Sequence, residues 1–404
     1  MTNVQRVLVV GQGYVGQAVG RAAAARGHVV TGFDTDATRA AEVDGIVPYR
    51  VVADPDIVGD FDVAVIAVPT PLADRAPDIR HLREAAGTVA RGLRVGGLVV
   101  VESTVYPGAT RAVVATALAE ASGLRPGADF SLGYSPERID PGPASPELAE
   151  IPRVVSGIDE ESLRRTQEFY DTIVDRTVPV SRIEVAELSK LIENTFRHIN
   201  IAFVNELALA EASLGVDVRE ALDAAGSKPY GFMKFTPGGG GVGGDCIPVS
   251  PAYLNWAVVN GGGAPLQFVE LADSVDARAS VHVVDHAEIL LSARGGRADG
   301  ARVLLVGVAY KKNVAEVRGS AGLRIAALLR DRGFVVTAVD PLIPPAAWPD
   351  GIARAELTAG AIADTDIAVV LVAHDGVDLA PLLAAGIPVL DTNHTLHGAT
   401  VVAC

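Results

Sequence analysis

Residues 6 to 34 constrain the fold more than any other stretch of this chain. Arg6-Val7-Leu8-Val9-Val10 is a short β-branched run that ends in Gly11-Gln12-Gly13-Tyr14-Val15-Gly16. A helix-permissive stretch, Ala18 to Ala25, comes next. Gly27 stops it, and a second strand runs from His28 to Phe33 and ends at Asp34. Strand, glycine turn, helix, strand, acid is the order of a parallel βαβ unit that binds a dinucleotide. Each glycine then has its own reason to be small, with a tight turn at Gly11, close pyrophosphate approach at Gly13, and helix-on-strand packing at Gly16. The helix N-terminus, opened by Tyr14 and Val15, faces the pyrophosphate. Asp34 would accept from the ribose hydroxyls and repel a 2′-phosphate, which favours NAD over NADP.

Further βα units follow. Asp62 to Val68 reads as a buried strand ending in Pro69-Thr70-Pro71-Leu72, and Leu98 to Val101 as another, ending in Glu102-Ser103-Thr104-Val105-Tyr106-Pro107-Gly108. Phe130 to Gly133 leads into Tyr134-Ser135-Pro136-Glu137-Arg138. Polar and Pro/Gly-rich residues lie just past the carboxyl end of each strand, where open α/β sheets place their ligand crevice. Glu137 is therefore either a solvated loop carboxylate or a functional one. From Ala301 onwards the alternation restarts, with strands Val303 to Gly307, Val335 to Val339, Ile367 to Val372 and Val389-Leu390, and a helix from Leu323 to Arg332. Lys311 lies just past a strand end, a place for a phosphate contact. His374 has no second His or Cys spaced for a metal, so no metal site is expected and a loop-supporting role suits it better.

Between the two α/β regions, Glu184 to about Leu214 reads as one helix, ~45 Å long and apolar almost all the way round, hence largely buried. Lys190 and Asn194 are i,i+4 neighbours on it. Ionisable groups buried on it must be paired or used: an internal ion-pair network, for example Glu187 with Lys190, suits Glu187, Arg197 and Glu206 better than it suits Lys190 and Asn194. A second helical stretch covers roughly Pro265 to Ala293, and two such helices between α/β halves would form a dimerisation spine. Between them lies Phe235-Thr236-Pro237 and then six glycines in the eight residues before Cys246. This loop is either a backbone cradle for an anionic or polar ligand with the thiol aimed into it, or a flexible run before a buried structural cysteine.

Composition narrows the class. The net charge of −15 argues against nucleic acid or an anionic membrane as partner. No apolar run approaches the ~18 residues of a membrane span. The two cysteines, Cys246 and Cys404, make no disulfide framework, so a reducing, cytoplasmic home is expected. The fold expected is α/β: two Rossmann-like parallel-sheet domains joined by a long central helical region. The domains would be residues 1–183 for NAD, 184–297 for the helices and the Cys loop, and 298–404 for the second Rossmann-like domain.

The motifs Gly11 to Gly16, Val68 to Leu72, Glu102 to Gly108, Ser135 to Arg138, Glu187 to Asn205, Gly243 to Pro248 and Ala309-Tyr310-Lys311, in this order, resemble the UDP-glucose/GDP-mannose dehydrogenase family. Ser227 to Phe235, with Cys246-Ile247-Pro248 and Pro251 to Leu254, is most similar to its UDP-N-acetylhexosamine branch. The resemblance implies a homodimer that oxidises the C6 alcohol of a UDP-sugar to a carboxylate with two NAD+. It implies Cys246 as the nucleophile that captures the aldehyde, Lys190 and Asn194 as oxyanion stabilisers, Thr104 as an orienting hydroxyl, and Glu137 as general base or water positioner. It also implies UDP-sugar contacts from Glu137, Arg138, Lys190, Asn194, Phe235, Gly243 and Lys311. NAD contacts would come from the glycine turn, Asp34, Arg39, Pro69, Thr70, Thr104 and Arg318. The sequence departs from the family at Ser250, where the family has an aspartate, and at Asn393, where it has an arginine. Asp245 stands where this branch commonly has His, and Glu316, Gly319 and Ala321 where the family has Asp, Glu and Pro. Expected alternatives are a UDP-glucose enzyme, a variant that stops at the aldehyde, and a non-catalytic nucleotide-sugar binder.

Overall fold

The computed structural model describes residues 4–140, 142, 146–244 and 246–403. It divides into two compact units: Met1–Asn194 with Val249–Pro265, and Thr195–Pro248 with Leu266–Cys404.

The first unit opens with β1 (Arg6–Val10), α1 (Tyr14–Ala25), β2 (Val29–Phe33), α2 (Ala37–Asp44), β3 (Arg50–Val52) and β4 (Val63–Ile66). A small hairpin, β5 (Leu72–Ala73) and β6 (Ala76–Pro77), precedes α3 (Arg80–Gly92), β7 (Leu98–Val101), α4 (Thr116–Ser122) and β8 (Ser131–Tyr134). Then come β9 (Arg153–Gly157), α5 (Glu160–Tyr170) and β10 (Thr177–Pro179). Among the described residues these make an eight-stranded sheet in the order β10-β9-β8-β7-β4-β1-β2-β3. All pairs run parallel except β8 with β9. Its central strands are buried on both faces, which is why they read as unbroken Val/Ile/Leu runs rather than alternating ones.

Helix α6 (Ile183–Leu209) ends five residues earlier than its apolar run suggests; α7 (Glu211–Leu214) is a separate turn. Nor is α6 buried all round. Val185, Ile192, Phe196 and Phe203 are between 44% and 54% exposed, and their spacing of seven, four and seven puts them on one stripe of the helix. After α8 (Val218–Gly226) the glycine loop leads into α9 (Cys246–Asn260), a helix barely signalled in the sequence because Pro248 and Pro251 lie in it. Pro248 falls in the first turn, where no backbone donor is lost; Pro251 does remove one.

The second unit contains α10 (Gln267–Ser292), β11 (Arg302–Val306), α11 (Ala321–Asp331), β12 (Val335–Val339), β13 (Ala353–Arg354), α12 (Ala359–Ala363), β14 (Ile367–Val370), α13 (Ala380–Ala384), β15 (Val389–Asp391) and β16 (Val401–Ala403). Its sheet is wholly parallel, in the order β13-β12-β11-β14-β15-β16. Two Rossmann-like parallel-sheet regions are thus present, as expected.

Both sheets turn at a glycine. Gly11 has φ +92°, and a Cβ there would lie 2.4 Å from the Ala67 carbonyl oxygen. Gly11→Ala should therefore cost about 2 kcal/mol or more of stability. A urea midpoint unchanged from wild type would contradict this.

Candidate active site

The first unit's crevice is built by turns leaving the carboxyl ends of β1, β4, β7 and β8. At the first, the Gln12 N–H donates to Asp34 at 2.8 Å and fixes that carboxylate beside the glycine turn. Gly16 packs so close that a Cβ would sit 1.8 Å from the Gly11 carbonyl oxygen, whereas among the described residues nothing comes within 4 Å of one at Gly13. Among the described residues no side chain caps α1, and no acid lies in its first turn. A bare helix N-terminus below an open glycine fits the pyrophosphate of NAD, and Asp34 fits its ribose. Arg39 is exposed on α2, its N–H held by Asp36.

The next two turns are tied together. Thr70 Oγ1 donates to the Thr104 carbonyl at 2.7 Å, and Ser103 Oγ accepts from the Val68 N–H at 3.0 Å. Pro69, between these ties, is exposed. Tyr253 on α9 adds a bond to the Thr70 carbonyl at 2.9 Å; burial pushes its phenol up to about 12, so it remains a donor.

The fourth turn carries Glu137, which is 5% exposed. One of its oxygens accepts from Lys190 Nζ at 3.2 Å, and the other from the Ile139 N–H. Lys190 is equally buried, and the Glu137 carboxylate is the partner that answers its burial. One turn further along α6, Asn194 Nδ2 donates to Ser250 Oγ at 2.8 Å. Arg138 reaches the Pro152 carbonyl at 2.6 Å and pairs with Glu193 at 2.7 Å. The anticipated Glu187–Lys190 pair does not form. Glu187 is wholly buried and accepts from the N–H groups of Gly108 and Thr110, while burial pushes its carboxyl up against those bonds. It anchors the turn after β7 and leaves Lys190 to Glu137.

In the second unit the glycine loop is pinned rather than flexible. The Gly238 N–H donates to Asn205 at 2.8 Å, the Val242 N–H to Asp276, and the Gly244 N–H to the Gly319 carbonyl at 3.0 Å. A Cβ at Gly239 would lie 2.1 Å from Thr392 Oγ1, and one at Gly243 would lie 2.9 Å from the Tyr310 carbonyl oxygen. The loop is thereby laid against the Tyr310-Lys311 turn and next to Arg318, which pairs with Glu316 at 2.7 Å. Arg219 donates to the carbonyls of Pro237 at 3.3 Å and Thr392 at 3.0 Å. Phe235 packs edge-on against Phe196. His374 Nδ1 accepts from the Asn313 N–H at 2.8 Å, so Nε2 bears the proton toward Asp340 at 3.1 Å. It supports the Lys311 loop. The backbone of Cys246 begins α9; Asp245 lies outside the described residues, as does Cys404.

Residues 48–174 match the NAD binding domain of the UDP-glucose/GDP-mannose dehydrogenase family, 184–278 its central domain and 304–396 its UDP binding domain. The chain belongs to the UDP-glucose/GDP-mannose dehydrogenase family. It is an NAD-dependent oxidoreductase of nucleotide sugars. It is 34% identical to a UDP-N-acetyl-D-glucosamine 6-dehydrogenase of Pseudomonas aeruginosa over 84% of this chain and 83% of that protein. It is 29% identical to a UDP-N-acetyl-D-mannosamine dehydrogenase of Pyrococcus horikoshii over 84% of each. Among solved structures, a UDP-D-ManNAc dehydrogenase from Pyrococcus horikoshii is similar with a TM-score of 0.86 at 26% identity, covering 98% of both chains. A UDP-glucose dehydrogenase from Pyrobaculum islandicum has a TM-score of 0.85 at 27% identity, covering 100% of this chain and 97% of that one.

In this UDP-glucose/GDP-mannose dehydrogenase family member, two departures have defined surroundings. Ser250 is wholly buried and neutral, and it receives Asn194. Asn393 donates to the Leu371 carbonyl at 2.9 Å, so its amide ties β15 to β14. Among the described residues no helix is long and apolar enough to cross a membrane. The sequence motifs pointed to Tyr253 only as part of a pattern; its bond to the Thr70 carbonyl links α9 to the dinucleotide crevice. Tyr253→Phe should weaken NAD+ binding by about 1 kcal/mol, roughly fivefold in KM. An unchanged KM for NAD+ would show that the Thr70 turn holds without it.

Proposed function

We propose that the protein oxidises the C6 hydroxyl of a UDP-sugar twice, to the uronate, with UDP-N-acetylglucosamine or its manno epimer as the substrate. The buried Lys190–Glu137 pair at the crevice end of the NAD-binding sheet carries this reading. It offers an ammonium to a developing oxyanion and a carboxylate to a reacting water in one place. The relatives that carry these two sugars in their names support the choice.

Bound NAD+ accepts a hydride from C6 in each oxidation. The chain does the rest. The C6 hydroxyl gives up its proton as the first hydride leaves, and the Cys246 thiolate adds to the aldehyde carbon to form a thiohemiacetal. Position 246 is the first residue of α9, where the helix dipole favours a thiolate. Lys190 and Asn194 stabilise the oxyanion, with Thr104 as the orienting hydroxyl. Loss of the second hydride leaves a thioester. Glu137 takes a proton from water as its oxygen adds to the carbonyl carbon; the C–S bond breaks, thiolate is regenerated and the carboxylate is released. Alcohol, two NAD+ and water thus give carboxylate, two NADH and three protons. Phe235, Gly243, Arg138 and Lys311 hold the UDP-sugar, and Arg318 and Arg39 contribute to the cofactor. The lone reacting thiol suits the reducing cytoplasm. The exposed stripe Val185, Ile192, Phe196 and Phe203 on α6 supports a homodimer.

NADH yield per sugar tests the reading, with UDP-N-acetylglucosamine, UDP-N-acetylmannosamine and UDP-glucose in parallel. Two NADH per N-acetylhexosamine, and loss of at least ~1000-fold in kcat for Cys246→Ala, are expected. One NADH per sugar would mean that Ser250 in place of an aspartate stops the enzyme at the aldehyde. Turnover of UDP-glucose alone would move the substrate to the hexose.

A further inference from the structure

A second buried ion pair lies behind the first. Glu102, at the end of β7, and Arg153, at the start of β9, form an ion pair with exposures of 0% and 1%. The Tyr170 hydroxyl donates to Glu102, and the Tyr170 ring stacks 5.1 Å from the guanidinium carbon. Burial opposes charge on both partners, yet Glu102 and Tyr170 hold the guanidinium above its ordinary range. Arg153 Nη1 has no hydrogen-bond partner among the described residues. Such an under-satisfied buried pair adds little stability, because well-packed apolar side chains of similar volume do as well or better.

What the pair does touch is the turn that carries Glu137. Arg153 Nε donates to Ser135 Oγ at 3.0 Å, and Ser135 Oγ donates to the Val154 carbonyl at 2.8 Å. The Ser135 N–H goes to the Val101 carbonyl at 2.9 Å, and the Glu137 N–H points to the Glu102 carbonyl at 3.4 Å. On the far side of Glu137, Arg138 is gripped by the carbonyl of Pro152, the residue beside Arg153. Pro152-Arg153 therefore holds the chain both before and after Glu137, and Glu102 holds Arg153.

We infer that Arg153, Glu102 and Ser135 are positioning residues that set the Glu137 carboxylate against Lys190, so that the fidelity of the water-handling step is determined in the sheet behind it. Its mechanistic consequence rests on Glu137 handling water as proposed above; the placement itself does not. The two are separated by reading amide exchange as well as turnover. In the unliganded protein, Ser135→Ala should speed exchange of the 135 and 137–139 amides about tenfold, while the thermal midpoint falls by only a few degrees, for the one buried guanidinium N–H that loses its acceptor. The double variant Glu102→Gln/Arg153→Met removes both charges. It should recover most of the thermal stability lost by Arg153→Met alone and still exchange fast over 135–139. With UDP-N-acetylglucosamine and NAD+, both should show kcat lower by about tenfold, KM within twofold, and a sugar adduct on Cys246 in the intact mass.

If the double variant recovers stability and slow exchange together, the pair is structural only and the inference is overturned. If exchange behaves as expected but Glu137→Gln turns over normally, with no adduct, the placement stands and the role given to Glu137 fails. If Glu137→Gln stalls while Ser135→Ala neither stalls nor exchanges faster, the inference fails and the role of Glu137 remains.

Discussion

An ammonium cannot be taken out of water alone. Lys190 is buried on α6, and an uncompensated charge there would cost several kcal/mol. Glu137 has to meet it, so the turn after β8 has to be rigid enough to keep a carboxylate 3.2 Å away. That demand accounts for much of the architecture on this side of the sheet. Strand β9 joins antiparallel to β8, the one reversal in an otherwise parallel sheet of described strands, and brings Pro152 and Arg153 behind the turn. Glu187 meanwhile fixes the next turn over with its own carboxylate. The helix thus sends two charged side chains into the sheet's crevice end, and each is answered by a different loop.

Strands whose residues are apolar on both faces were legible to the residue: Arg6 to Val10, Leu98 to Val101 and Val335 to Val339. Strand β9 was not, since a stretch led by an arginine reads as surface, and the partner that permits its burial is Glu102, fifty-one positions earlier. The same limit governs the site. Local spacing suggested Glu187 for Lys190, because residues three apart share a helix face; the sheet supplied Glu137 instead, from a distance of 53 residues. The end of α6 at Leu209 and the start of α9 at Cys246 were hidden for opposite reasons, one by a helix-favouring run that continues past the break, the other by prolines that a helix start can absorb.

The two sheets show how one turn serves two purposes. The N–H groups of Gly11 and Gly307 donate at 2.8 Å to the carbonyls of Phe33 and Val339, and both glycines have positive φ. Each following strand ends in an aspartate. Asp34 takes the Gln12 and Asp36 N–H groups and stays half-buried beside an open glycine. Asp340 is 2% exposed, takes both the Val308 and Ala309 N–H groups, and receives His374 as well. Its oxygens are spent on the protein. The geometry that in one sheet leaves a carboxylate beside an open turn, in the other locks a loop that ends in Lys311.

The close packing of the glycine loop has a directional consequence for how this chain can change over generations. Residues 239, 240 and 243 are small because Thr392, Ile325 and Tyr310 already fill the space a side chain would take. At 239, drift can shrink Thr392 first and fill the space afterwards; at 243 the obstacle is the Tyr310 backbone carbonyl, and at 240 a φ of +91° adds to Ile325, so no change of a neighbouring side chain frees either position. The loop is therefore held small by its own backbone as much as by its neighbours, and position 239 alone of these three can follow a change made elsewhere.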